Sequence, residues 1–229
     1  MSVLLINTGS SSLKFSVLEA SDGTVLASGM ADWAGDKTHY QLAMPDCKVS
    51  DTVDWKGPKS AFARSIGDLR RTLPRLFAGP DSITAIAHRV VHGGEFERAT
   101  RITPPVLARL AELSSLAPLH NPPSLEAIGA AMLEFPALPH IACFDTAFHR
   151  TMVPAAQAYA IPYEWTDHGK IRRYGFHGLS HAYCAQRAAQ MLGHTSQPLR
   201  SFTAAPPQLA TPRDCAIRPH PVSSQRVAD

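Results

Sequence analysis

The chain has 229 residues, 45% of them hydrophobic and 18% charged, and a formal net charge of +3 from 22 basic and 19 acidic side chains. That length suits one large α/β domain or one and a half smaller ones, and charge spread along the chain with no long basic run excludes nucleic acid as an implied partner. With no run of about 18 apolar residues and no basic leader, neither a membrane span nor a signal peptide is expected, and Cys47, Cys143, Cys184 and Cys215, which form no CxxC pair, fit a reducing, cytoplasmic compartment.

Val3-Leu4-Leu5-Ile6 is an apolar run of strand length, Asn7 to Ser12 is a small polar turn, and Leu13 to Leu18 resumes strand character, which predicts a hairpin. The turn gathers backbone N–H groups and the hydroxyls of Ser10, Ser11 and Ser12, with Lys14 two residues further on. Such groups hold phosphate oxygens, and nearby carboxamide and hydroxyl groups orient waters around magnesium. The GxxxxGK[ST] spacing is absent, so this is no Walker loop; an ordinary Asn/Gly hairpin with a solvated Lys14 is the competing reading.

Thr24–Gly29 reads as the third strand of an antiparallel meander; within the mixed pattern of Asp32–Lys59, Thr38–Met44 reads as a further strand, closed by Pro45-Asp46. Phe62, Ile66, Leu69, Leu73 and Leu76 predict an amphipathic helix from Ser60, perturbed near Pro74. Ile83–Ala87 is then a short buried strand, and a strand fed by a helix points to parallel crossovers. His88-Arg89-Val90-Val91-His92-Gly93-Gly94 follows at its carboxyl end, where ligands collect in open α/β sheets. The histidines there have packing as their alternative; Arg89, between apolar stretches, is expected to meet an anion from another element or a ligand.

Thr103-Pro104-Pro105 has the form of a cap and first turn for a helix with Val106, Leu107, Leu110 and Leu113 on its apolar face. Leu116–Pro123 is expected to be a rigid loop presenting His120 and Asn121, with a helix from Ser124 to Leu133 burying Leu125, Ile128 and Met132. His140–Phe144 reads as a strand that delivers Asp145, either a helix cap or a base or metal-orienting carboxylate. A bend over Pro154–Trp165 leads to the basic, aromatic, glycine-punctuated loop Ile171–His181, in which His177 is open to a ligand or simply solvated, and a helix runs from about Ser180 to Leu192 before Gly193. Residues 201–229 have no glycine, five prolines and no periodicity, which predicts a disordered tail.

Asn7, Ser10, Ser12, Lys14, Arg89, His120, Asp145 and His177 together offer cations, histidines, one carboxylate and a Ser/Gly turn, a set suited to a polyanion with a transferring phosphoryl group. At these residues the sequence resembles the acetate kinase family (acetokinases; acetate and propionate kinases). The matching blocks are Leu5–Lys14, His88–Gly94, Ala117–Pro122, Phe144–His149 and Tyr174–His181. Leu179 stands where the last motif usually has threonine.

The resemblance implies an α/β fold of the actin-like, sugar-kinase-like (ribonuclease H-like) kind with a mixed sheet. Residues 1–150 would be the N-terminal domain, 151–200 an incomplete start of the second and 201–229 the tail. It implies transfer of the γ-phosphoryl of ATP to acetate or propionate, with Mg2+ required, by a homodimer. It assigns Asp145, His177 and Arg89 to catalysis, Ser10, Ser12, Lys14 and His120 to phosphate, Val91, Leu119 and Phe176 to the acyl pocket, and Asn7 to magnesium. It covers the family's N-terminal half; the His-Leu-Gly-Asn-Gly phosphate loop and adenine-binding region that should follow residue 200 are absent from this sequence, so independent activity is not expected. A butyrate-type acyl kinase and a non-catalytic interaction fragment are the alternatives.

Overall fold

Strand β1 (Ser2–Thr8) buries Ser2, Leu4, Ile6 and Thr8 on one face and half-covers Val3, Leu5 and Asn7 on the other, the period of two that a sheet with unequal faces imposes. The Gly9 N–H donates to the Ser12 carbonyl at 2.8 Å and turns the chain into β2 (Ser12–Glu19), antiparallel to β1. Asn7 and Thr8 therefore belong to the ladder, opposite Lys14 and Leu13, and the turn proper is shorter than the residue types suggest. The meander continues through β3 (Val25–Asp32), β4 (Thr38–Met44) and β5 (Cys47–Val53). The last strand was hidden in the sequence because it lies at the sheet edge and only Val49 and Val53 are even half-buried, so apolar alternation is nearly absent.

Helix α1 (Pro58–Thr72) crosses over to β6 (Ile83–Val90), which lies parallel to β1 on the side opposite β2. The short strand β7 (Thr100–Arg101) and helices α2 (Pro104–Glu112) and α3 (Asn121–Glu134) lead to β8 (His140–Phe144), parallel to β6. The mixed sheet has the order β5-β4-β3-β2-β1-β6-β8-β7. Its buried face supplies Leu4, Ile6, Leu13, Phe15 and Tyr40 to a core completed by Phe62, Ile66 and Leu69 of α1 and Ala127 and Ala131 of α3. On α1 the buried Asp68 accepts from Arg64 Nε at 2.8 Å and Arg71 at 2.7 Å, while Arg64 also lies over the Tyr40 ring, 5.0 Å from its centroid, and reaches Asp51 at 3.2 Å. This charge-assisted set fastens the helix to β4 and β5.

Helix α3 begins at Asn121, three residues before the expected start. Pro122 and Pro123 are not a loop but its first turn, where the N–H groups they lack have no intrahelical acceptor to lose. Ser124, Ala127, Ile128 and Ala131 face inward, whereas Leu125 and Met132 are only half-buried. Thr103 precedes α2 as expected but makes no side-chain cap bond.

The computed structural model describes residues 1–167, 171–193, 200–201 and 225–226, and two compact units are distinguished, Met1–Phe144 and Asp145–Asp229. The second contains a 3-10 turn at Ala147–Thr151 and helices α4 (Pro154–Gln157), α5 (Tyr163–Asp167) and α6 (Gly178–Met191). The tail expected to be disordered lies outside the described residues, except for Ser201 and Gln225–Arg226, and Arg200–Ser201 pairs antiparallel to Gln225–Arg226. Among the described residues no helix is long and apolar enough to cross a membrane.

One buried polar pair links β6 to β8. His140 Nε2 lies 3.1 Å from the Phe135 carbonyl, which only accepts, so Nε2 carries the proton and Nδ1 is left to accept from His88 Nε2 at 3.1 Å. The rings stack at 5.4 Å, and His88 Nδ1 has no partner among the described residues. Burial, with repulsion from His140 second, pushes His88 down to about 3, and burial also lowers His140. Unfolded histidines take up protons near pH 6.5 whereas the folded pair does not, so the unfolded state binds more protons and stability falls as pH drops from about 6.5 toward 3. Urea titrations between pH 7 and pH 5 should show a loss of up to about 1.4 kcal/mol per pH unit for each such histidine, with a shallower slope in His88→Leu; an unchanged slope removes His88 as the cause.

Candidate functional site

In the first unit, register aligns the charged groups. Lys14 of β2 stands opposite Asn7 of β1, Asn7 opposite Arg89 of β6, and Arg89 opposite Cys143 of β8. Residues directly opposite one another share a face of the sheet, so Lys14, Asn7 and Arg89 form a row on the face away from α1 and α3. Asn7 and Arg89 are half-buried and Lys14 is exposed. Arg89 Nη1 donates to the neutral carboxamide oxygen Oδ1 of Asn7 at 3.0 Å. Ser10 is exposed at the tip of the turn, while Ser11 and Ser12 are half-buried, and the Ser11 carbonyl accepts from Trp33 N–H at 2.8 Å.

Beyond β6 the chain is held by a carboxamide. Asn121, 0% exposed, accepts from the His92 N–H at 3.1 Å and donates Nδ2 to the His92 carbonyl at 3.0 Å. His92 Nδ1 accepts from the Gly94 N–H at 3.1 Å, and a Cβ at Gly93 would collide with the Phe144 ring, which stacks on Phe96 at 5.1 Å. The glycine is required by this close approach. The strand runs on through Val90 and turns His88 inward as a packing group, and His92, two residues beyond the strand, is buried as well.

His120 is the half-buried residue before α3, and its carbonyl accepts from Ser124 Oγ at 3.0 Å. Val91 is buried, whereas Leu119, 69% exposed, lies outside this unit's core.

The second unit starts with Asp145, 1% exposed, directly after the last residue of β8. Its carbonyl oxygen is approached so closely by Gly178 that no Cβ fits there. The residue before the 3-10 turn is Thr146, not Asp145, so the capping alternative for Asp145 does not hold. His149, 4% exposed, lies 2.9 Å through Nε2 from the Phe176 carbonyl and stands edge-on to His181 at 5.8 Å. Burial lowers its pKa, opposed by the Phe176 carbonyl and Asp145. Burial, followed by His149 and His177, lowers His181 in turn. His177 has φ 56° and ψ 23°, a left-handed conformation that costs a non-glycine residue about 1–2 kcal/mol. It is the sole such non-glycine residue among those described. Phe176 is 45% exposed.

Among the described residues no cluster of three or more His, Cys, Asp or Glu side chains is placed to hold a metal. Asn7 in the first unit and Asp145 in the second each carry a side-chain oxygen, the donor type that magnesium takes. The sequence reading presents Asn121 beside His120 without a role in shaping the chain, and it gives His149 none. An asparagine before two prolines and a histidine after an apolar turn are the signals, but their partners lie 29 and 27 residues away.

The Acetokinase family profile matches residues 2–205. The acetate kinase of Thermoanaerobacterium thermosaccharolyticum is 42% identical over 206 residues, covering 89% of this chain and 51% of that protein; for the acetate kinase of Deinococcus radiodurans the figures are 42% over 205 residues, 89% and 50%. Among solved structures, Porphyromonas gingivalis acetate kinase has a TM-score of 0.77 at 36% identity, covering 88% of this chain and 52% of that one. A propionate kinase from Francisella tularensis has a TM-score of 0.76 at 36% identity, covering 85% and 50%. The chain spans about half the length of the curated relatives it matches, and its mixed sheet with flanking helices has the actin-like and sugar-kinase-like fold expected from the sequence.

Asn121→Ala removes both bonds to the His92 backbone, so it should cost about 2–4 kcal/mol of unfolding free energy. A urea midpoint within error of the unaltered chain would show that the turn after β6 holds without it.

Proposed function

The chain belongs to the acetokinase family, and on that footing we propose that it carries the carboxylate- and phosphate-binding half of an ATP-dependent, Mg2+-dependent carboxylate kinase acting on acetate or propionate. In this reading residues 1–150 act as the first domain and 151–200 open the second. The observation that carries it is the aligned row of Lys14, Asn7 and Arg89 across three strands, with the Arg89 guanidinium hydrogen-bonded to Asn7 and so pre-oriented. A planar guanidinium fixed in this way suits bidentate capture of a carboxylate.

The acceptor carboxylate is ionised far below neutral pH, so no base need remove a proton. One of its oxygens forms the new bond to the γ-phosphorus as the bond to the β-phosphate oxygen breaks, and ADP leaves with that electron pair. Arg89 holds the acceptor, Lys14 with the hydroxyls of Ser10 and Ser12 compensates phosphate charge, and His177 donates to the transferring phosphoryl group, with His120 supporting it. Positioning and charge compensation supply most of what such a transfer needs. Asn7 and Asp145 are assigned to magnesium or its waters, and the ion would supply neutralisation of phosphate charge. Val91, Leu119 and Phe176 are assigned to the short acyl chain. One added methylene is discriminated by only about 1–3 kcal/mol, so propionate and butyrate are natural competitors. The homodimeric state of the family is proposed here on kinship alone.

The test uses the chain itself. Propionate titrated against it should shift the Asn7 and Arg89 side-chain resonances, and Arg89→Ala should weaken binding roughly 10- to 100-fold, the loss of a charged hydrogen bond. Binding unaffected by that substitution overturns the assignment. A parallel assay for Mg2+- and ATP-dependent acyl phosphate should show little turnover by these 229 residues alone; robust turnover overturns the view that this half does not suffice.

A further inference from the structure

The segment that carries His177 has an anchor that the proposed chemistry does not use. His149 sits in the 3-10 turn Ala147–Thr151, and its ring is almost wholly enclosed. Nε2 is 2.9 Å from the Phe176 carbonyl oxygen. A carbonyl only accepts, so Nε2 carries the proton and donates, which makes Nδ1 the bare nitrogen of a neutral ring. That nitrogen is buried and has no partner among the described residues.

The same ring sets the path of the backbone before and after this bond. Gly175, at φ 76°, passes so close over His149 that a Cβ there would collide with the imidazole. Two residues after Phe176, Gly178 lies against the Asp145 carbonyl, where no side chain fits. Between those contacts His177 adopts its left-handed conformation, and α6 starts at once. A non-glycine residue stays in that region only where its surroundings over-determine it. The peptide joining Phe176 to His177 sets the φ side of that conformation, and the His149 bond grips that peptide by its carbonyl.

We propose that His149 is a positioning residue for His177, its Nε2–H bond to the Phe176 carbonyl locking the backbone conformation in which the His177 imidazole is presented. The functional weight of this rests on His177 facing the phosphoryl group as set out above; the lock itself does not. His149 touches no reacting atom in this scheme. Its contribution is to keep one rotamer family of His177 populated, so that the donor is pre-organised and not recruited at each turnover.

The test is nuclear magnetic resonance on the full chain with 15N-labelled histidine. In the unaltered chain His149 should show the neutral tautomer protonated at Nε2, and His177 a single set of ring cross-peaks. His149→Gln, whose carboxamide still donates, should retain that single His177 set close to its original position. His149→Leu, which fills the space without a donor, should shift and split it. A His149 protonated at Nδ1 overturns the proposal without any variant, so the test stands even if His149→Leu fails to fold. It is equally overturned if the His177 peaks of His149→Leu coincide with the unaltered ones, or if the Gln and Leu variants disturb them alike. None of these readouts needs turnover or bound nucleotide. Loss of carboxylate binding with the His149 signature intact therefore overturns the kinase reading alone.

Discussion

Strand β1 is hydrogen-bonded on both sides, antiparallel to β2 and parallel to β6, and the charged groups of the first unit take their places from that double ladder. Arg89 is far in sequence from Asn7 and Lys14, yet adjacent strands bring directly opposite residues within about 5 Å of one another. A one-residue slip of either ladder would send one of the three to the buried face. The register is fixed from that buried face, where Leu4, Ile6, Leu13 and Phe15 have to meet α1 and α3. The hydrophobic core and the polar row are thus two faces of one constraint.

Both units then use the same device to build rigid turns next to their polar residues. A neutral, buried side chain grips backbone groups of another segment. Asn121 takes both the N–H and the carbonyl of His92, His140 donates to the Phe135 carbonyl while accepting from His88, and His149 donates to the Phe176 carbonyl. Neutral carboxamides and imidazoles suit this work because burying an unpaired charge costs far more than burying a satisfied dipole. Where the two segments must come closer than side chains permit, the chain places glycine, as at Gly93 under Phe144 and Gly178 against the Asp145 carbonyl.

Elements with strong local signals were legible to the residue. Thr38–Met44 and His140–Phe144 are strands with the bounds that alternation and punctuation indicate. Strand β5 was not legible, because Cys47–Val53 is largely exposed at a sheet edge and its pairing supplies what its composition does not. The start of α3 was misplaced because two prolines read as a loop when helix ends also welcome them. His88 followed a strand that was expected to stop sooner; three more residues of β6 put it inside the fold.

By itself the sequence determined the α/β class, the strands and helices through Phe144 apart from β5 and β7, and five motif blocks specific enough to place the chain in its family. These rest on local patterns, since periodicity, turn residues and motifs are each written within about a dozen consecutive positions. Tertiary structure alone decided which polar residues stand together and which are spent holding the chain in shape. Asn7 meets Arg89, Asn121 meets His92 and His149 meets Phe176 only once sheet register and close packing bring distant segments together. A histidine or asparagine in a sequence announces its hydrogen-bonding capacity; its neighbours in the fold determine where that capacity goes.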